Sequence, residues 1–218
     1  TGMIAALRYL AEMLTVAERD VEAQSMLELS EKLEERINTL SWNGNFYTHH
    51  VPEESSVSRD LGVDEESQVS LSNAYTLNRG ISHEKAVKII ETYQQIRKEM
   101  PASSPGEFYT IYPPFERGFG SHNSKWNYMN GGVTSIVAGE LAHGAFEHGF
   151  EQYGTDILDR QLVLARKTDN YLHCTYRGQM PEEPQRTFTP IRLEENANTD
   201  FAGNTKEGVM GWTNEGEN

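Results

Sequence analysis

Segments of helical periodicity recur in pairs along this chain, and each pair is followed by a short β-like piece and a long loop. Residues 1–16 place Ile4, Leu7, Leu10 and Leu14 at helical spacing. The next segment opens at Thr15 and Glu18 with the spacing of a capping box. It carries Met26, Leu29, Leu33, Ile37 and Leu40 on one stripe, with Glu28, Glu31, Lys32, Glu34, Glu35 and Arg36 opposite, the pattern of an outer, half-wet helix. Residues 66–78 are small or apolar on most sides, which suits an inner helix. Gly80 ends it, and Ser82 caps a stripe of Ala86, Ile89, Ile90, Tyr93 and Ile96. Residues 131–149 are rich in Gly and Ala, so their backbone can approach a neighbouring helix closely. Their amphipathic partner runs over 155–167 through Ile157, Leu158, Leu162 and Ala165. Between the pairs, residues 45–51, 107–112 and 171–176 concentrate aromatic and β-branched side chains.

The unit of inner helix, outer helix, short strands and long loop returns roughly every 65 residues. The expected fold is all-α. Three helical hairpins (1–40, 66–99 and 131–168) occupy residues 1–176, with short β-hairpin pieces between them, and 177–218 form a long loop or tail. Hairpin repeats bury their faces only against neighbours, so three of them leave two open ends. Further hairpins of the same chain, or a second copy, are the partners expected there. The sequence starts at Thr1 and stops in the polar NEGEN, so it reads as a piece of something longer.

A net charge of −14 from 33 acids and 19 bases disfavours nucleic acid and anionic membranes, whose phosphates such a surface repels. The single cysteine, Cys174, excludes an intrachain disulfide framework and a Cys-based zinc site. No apolar run approaches the ~18 residues a membrane-spanning helix needs, and no secretory signal is present.

The stretch over 112–132 combines prolines, glycines and aromatic rings with Glu116 and the amides of Asn123, Asn127 and Asn130. It is too polar for a core and too aromatic for a plain linker. Flat apolar faces beside amides and an acid are what a pocket for a polyhydroxylated ligand requires. If the inner helices point the same way, the loops ahead of them gather at one end: residues 52–66, 113–130 and the tail ending GWTNEGEN. Glycoside hydrolysis needs one carboxylic acid to protonate the leaving oxygen and one carboxylate to activate water or attack. Glu116 is the first candidate catalytic acid, followed by Glu66 and Asp64; Asp60, Glu65 and Glu215 are also available. Trp126, Asn127, Tyr128, Asn130, Tyr112 and Trp212 are the candidate sugar-binding residues. Competing structural roles are clear for several. Asp64–Glu66 fit a helix start, where acids complement the dipole, and Glu116 can simply pair with Arg117 or Lys125. Trp42 in WNGNFY reads as a turn into a strand. Glu140, His143 and Glu147 share a helical face as metal ligands do in di-iron bundles, but the second Glu-x-x-His of such a site is missing. No cofactor or metal is implied.

These residues resemble the six-hairpin glycosidase superfamily, whose members build an (α/α)6 toroid with the active site at one end. The resemblance rests on the inner–outer hairpin order, on LEERINTLSWNGNFYTHHV, on Glu66-Ser67-Gln68-Val69, and on Trp126-Asn127-Tyr128-Met129-Asn130-Gly131-Gly132-Val133. The last phrase is similar to a segment of α-L-rhamnosidase-like enzymes, and the matched stretch, 1–176, is half of a toroid. In those enzymes a catalytic glutamate lies just inside the following helix. The matching position here is Ala138, and the nearest acid is Glu140. The resemblance therefore implies fold and cleft but no acid–base pair. It implies a glycoside hydrolase of bacterial type acting on an oligo- or polysaccharide, for which a periplasmic or secreted location would be in keeping. Three other readings stay open beside it: a non-catalytic helical scaffold that binds glycan or protein, a carboxylate–His metal protein, and a glycoside phosphorylase.

Overall fold

A computed structural model describes residues 1–53, 59–102, 104–119, 125–167, 176, 178 and 179. The described residues form six helices and one two-stranded antiparallel sheet: α1 (Gly2–Val16), α2 (Asp20–Ser41), β1 (Val69–Ser70), α3 (Ser72–Leu77), α4 (His83–Glu99), β2 (Ile111–Tyr112), α5 (Ser135–Glu147) and α6 (Glu151–Lys167). The all-α expectation holds at this level. Among the described residues no helix is long and apolar enough to cross a membrane.

The core lies between the second and third helix pairs. Leu77, Ile89, Ile90, Tyr93, Val137, Leu141 and Ile157 are each 1 % exposed or less, and burial of a large aliphatic side chain contributes about 1.5–3 kcal/mol. α3 and α5 are the central helices, with Asn73, Ala74, Thr76 and Leu77 buried in one and Val137, Ala138, Leu141, Ala142, Gly144 and Ala145 in the other. α4 buries only the predicted stripe. Close approach of α3 to α5 depends on Gly144, because a Cβ there would overlap the side chain of Leu77. Gly139, on the same helix, meets nothing within 4 Å.

One residue just ahead of β2, Thr110, orients both central helices. Leu71, ahead of α3, donates its N–H to the carbonyl of Thr110 (2.9 Å), and Thr110 donates to the carbonyl of Gly132, ahead of α5 (2.8 Å). At the far end the ring of His148 lies 3.3 Å from the carbonyl of Leu77. α3 and α5 therefore run side by side in the same direction, with their preceding loops at one end.

A fully buried carboxylate ties the segment ahead of β2 to α6. Glu107 accepts two hydrogen bonds from Arg160 (2.7 and 2.9 Å) and one from the Tyr153 hydroxyl (2.6 Å). Arg160 also pairs with Asp156, which in turn pairs with Arg97 of α4. Burial works against the Asp156 carboxylate, but the two guanidinium groups outweigh it and hold its pKa below the ordinary value.

Several sequence expectations need correction. The helix expected over 66–78 is interrupted: Glu65–Ser67 form one 3-10 turn, Val69–Ser70 pair with Ile111–Tyr112, and α3 begins only at Ser72. Thr15 and Glu18 do not form a capping box. The Thr15 hydroxyl bonds back to the Ala11 carbonyl (3.0 Å), Glu18 takes a positive φ of 58° in the turn, and α2 starts at Asp20. Ser82 holds the N-cap position of α4 without a side-chain cap bond. No residue of the predicted α2 stripe is buried: Met26, Leu33 and Ile37 are half-buried, and Leu29 and Leu40 are 43 % and 51 % exposed. The residues α2 buries are Ala23 and Ser30, and Leu10 of α1 is 42 % exposed. α1 buries Ile4, Leu7 and Ala11, largely against α2, while Met3, Tyr9, Leu10, Met13 and Val16 leave a second apolar face bare. Of the strand expected over 171–176 only Tyr176 is described, bridged to Val133. Cys174, Trp212 and Glu215 lie outside the described residues.

Two tests follow from this packing. Arg160→Ala leaves Glu107 buried without its counter-charge and is expected to lower unfolding free energy by about 3–5 kcal/mol in urea titrations. Gly144→Ala should cost about 1–3 kcal/mol by overpacking, whereas Gly139→Ala, with open space around it, should gain about 0.5–1 kcal/mol. Equal effects at the two glycines would contradict the described α3–α5 contact.

Candidate functional site

Two buried asparagines do the same task at the loop end of the central helices. A planar amide offers one acceptor and one donor edge, so it can stand in for a strand partner. The Asn73 side chain accepts from the Tyr47 N–H (2.8 Å) and donates to the Tyr47 carbonyl (2.9 Å). Asn130 does this to Phe115, with distances of 2.7 and 3.0 Å. The first clamp fixes the segment leading to His49 and His50, and the second fixes the segment bearing Phe115 and Phe119.

Gln68, with no exposed surface, joins the two segments. Its Nε2 donates to the Pro113 carbonyl (2.7 Å), which leaves its Oε1 to accept from His49 Nε2 at 2.9 Å. The Nε2 of His49 therefore carries hydrogen. The Leu61 carbonyl accepts from the N–H groups of Glu116 (3.1 Å) and Arg117 (3.3 Å), and Arg117 pairs with Asp60, so residues 59–66 lie against residues 113–119.

Between these segments lies a cleft of about 340 Å³, with His49, His50, Arg59, Phe115, Phe119 and Met129 on its walls. Phe115 and Phe119 are stacked, with centroids 4.9 Å apart and planes 13° apart, and His49 stands edge-on to Phe115 at 5.8 Å. Flat rings beside imidazole and guanidinium groups can take a sugar ring on one side and its oxygens on the other.

The predicted residues fall in different places. Asp64 is exposed and accepts from the Glu66 N–H (3.1 Å), which is the helix-start role weighed above. Glu66 is exposed too, and its carbonyl accepts from Asn43 (3.3 Å). Glu65, between them, turns inward: its side chain is 17 % exposed, it pairs with Arg59, and it lies 3.9 Å from His49. Glu116 is exposed and paired with Lys125. None of Asp64, Glu65, Glu66 and Glu116 is among the described residues lining the cleft, and neither are Tyr112, Trp126, Asn127, Tyr128 and Asn130.

Trp126 is half-buried and packs with Tyr109 (5.9 Å) and Tyr112 (6.2 Å). It takes a φ of 68° and Tyr128 one of 39°, two left-handed residues in one turn. The turn is closed by Trp126 N–H to the Asn130 carbonyl and Asn130 N–H to the Asn127 carbonyl, both 2.8 Å. Gly131 cannot be replaced easily, because its φ is +88° and a Cβ would lie 2.7 Å from Pro114. The side chain of Asn130 is thus engaged in holding the loop, and the carbonyl of Tyr128 accepts from Thr110 Oγ1 at 2.7 Å. Trp212 lies outside the described residues.

The Glu140–His143–Glu147 face is split. Glu140 receives Asn78 (2.6 Å) and Arg79, while His143 pairs with Glu147 at 3.2 Å. Among the described residues no group of three or more His, Cys, Asp or Glu is arranged to hold a metal. Sequence reasoning passed over Gln68, Asn73 and Glu107. Asn73 had a visible signal, an amide within a run of small and apolar residues; the others depend on partners far along the chain.

Comparison with protein-family models and with curated proteins finds no match to this chain.

Asn130→Ala removes both partners of the Phe115 backbone and is expected to destabilise the protein by about 2–3 kcal/mol. Trypsin cleavage at Arg117 and Lys125 should accelerate in this variant more than cleavage in α4. Unchanged cleavage would show that Asn130 does not hold the loop.

Proposed function

We propose that this chain is part of a carbohydrate-active enzyme, a glycoside hydrolase of (α/α)6 toroid type, and that the cleft ahead of α3 and α5 is its sugar-binding end. The observation that carries this reading is the parallel arrangement of the two central helices. It brings two loops into one aromatic-walled, polar-rimmed cleft. The bare apolar face of α1 supports the toroid, in which a neighbouring hairpin of the same protein, or a second copy, would cover it.

In this reading Trp126, Tyr112, Asn127 and Tyr128 border the sugar-binding loop, and Asn130 shapes it from beneath. Glu116, Glu66 and Asp64 remain the proposed catalytic acids, and Glu65 joins them because of its place beside Arg59 and His49. Two carboxyls ~6.5–9.5 Å apart across the bound sugar would give inversion, and ~5–5.5 Å retention. Arg59, His49 and His50 on the cleft wall favour a second reading, a glycoside phosphorylase, since such groups also receive phosphate.

The test is glycan binding followed by turnover. A glycan array probed with this chain should retain a defined oligosaccharide class, and Phe119→Ala should weaken that binding about tenfold, or 1.4 kcal/mol. In the enzyme that contains this chain, Glu116→Gln or Glu65→Gln should abolish release of reducing sugar while binding persists. A strict requirement for phosphate in that assay selects the phosphorylase. Binding without any turnover leaves a glycan-binding scaffold, and retention of no glycan removes the carbohydrate reading.

A further inference from the structure

Two histidines lie at the end of the central helices remote from the cleft. His83 opens α4 and His148 follows the last residue of α5. Their Nδ1 atoms are 3.3 Å apart and their ring centroids 5.5 Å apart, so both nitrogens occupy the gap between the rings. The other nitrogen of His148, Nε2, faces the Leu77 carbonyl at 3.3 Å. A carbonyl can only accept, so Nε2 carries the hydrogen and the Nδ1 of the neutral ring turns its lone pair toward His83.

Two imidazole lone pairs at this separation repel each other unless a shared hydrogen or a cation lies between them. A proton on His83 Nδ1 is one way to meet that requirement, and a metal ion is the other. Two metal–nitrogen bonds of ~2.0–2.1 Å at a tetrahedral angle set their nitrogens ~3.3–3.4 Å apart, which is the observed spacing. The Leu77 carbonyl supplies the outer hydrogen bond by which metal-binding histidines are held in one tautomer and orientation.

We infer that His83 and His148 form a two-histidine site for a divalent transition-metal ion of the Zn²⁺, Ni²⁺ and Cu²⁺ group, bound through both Nδ1 atoms. Imidazole favours these ions over Mg²⁺ and Ca²⁺, which prefer oxygen. Among the described residues no set of three protein ligands exists, so water completes the coordination. The bound ion joins the N-terminus of α4 to the C-terminus of α5 and so staples the second hairpin to the third. It is independent of the carbohydrate reading, which concerns the other end of these helices.

The experiment is isothermal titration of the purified chain with ZnCl2 and NiCl2 in a non-chelating buffer, with thermal unfolding recorded at each metal concentration. Saturable binding of one ion is expected, with a melting temperature that rises with metal concentration, as binding to the folded state alone requires. His83→Ala, at an exposed position, should weaken binding about tenfold or more, while His50→Ala and His143→Ala leave it unchanged. With Cu²⁺, electron paramagnetic resonance should show two nitrogen ligands in the parent chain and fewer in His83→Ala. Absence of saturable binding, or binding that survives both His83→Ala and His148→Ala, overturns the site and leaves a proton-sharing histidine pair.

Discussion

A carboxylate with no exposed surface, Glu107, begins the segment on which the rest of the molecule is arranged. An isolated buried carboxylate is costly, and it is tolerated here because Arg160 and Tyr153 surround it with hydrogen bonds. The five residues that follow touch nearly every central element. Phe108 accepts from Thr134 at the start of α5, Thr110 bridges the entries to α3 and α5, and Ile111–Tyr112 pair with Val69–Ser70. The ion pair secures this segment against α6, and the segment sets where both central helices begin.

From that alignment the cleft follows. Helices that start at one strand deliver their preceding loops to one place, and Gln68, Asn73 and Asn130 then fix the loops by bonding to backbone rather than to each other. Phe115, Phe119 and His49 stand as a wall on segments tied down by these bonds. The consecutive acids Asp64, Glu65 and Glu66 show how fine this control is. In a 3-10 turn successive side chains lie about 120° apart, so one acid can face inward while its neighbours face water. The inward one is Glu65.

How much of this could be read in advance depended on the range of the interaction. The stripe Ala86, Ile89, Ile90, Tyr93 and Ile96 is a local pattern, and the helix that carries it came out as read. Residues 66–78 were misread as a single helix because the pairing of Val69 with Tyr112 is remote in the chain and outweighs the helical character of the segment. At Thr15 and Glu18 the capping-box spacing was present, but the turn between α1 and α2 was made by Glu18 at positive φ. The Gly- and Ala-rich composition of α5 correctly implied close approach, yet only Leu77, a residue 67 positions before Gly144, decides which glycine is needed. In the site, the aromatic and amide content of residues 112–132 marked the loop, while the division between ring wall and backbone clamp was not legible there.

The sequence by itself determined the helical class, the order of the helices and the aromatic- and amide-rich character of residues 112–132. Those properties are written in periodicity and composition, which act over one or two turns of chain. Only the tertiary structure decided that α3 and α5 lie parallel, that Asn130 supports the loop instead of lining it, and that Glu65 rather than Asp64 or Glu66 turns toward His49. Each of those outcomes rests on a hydrogen bond or ion pair between groups that the folded chain alone brings together, and a buried polar group must find such a partner wherever in the chain it lies.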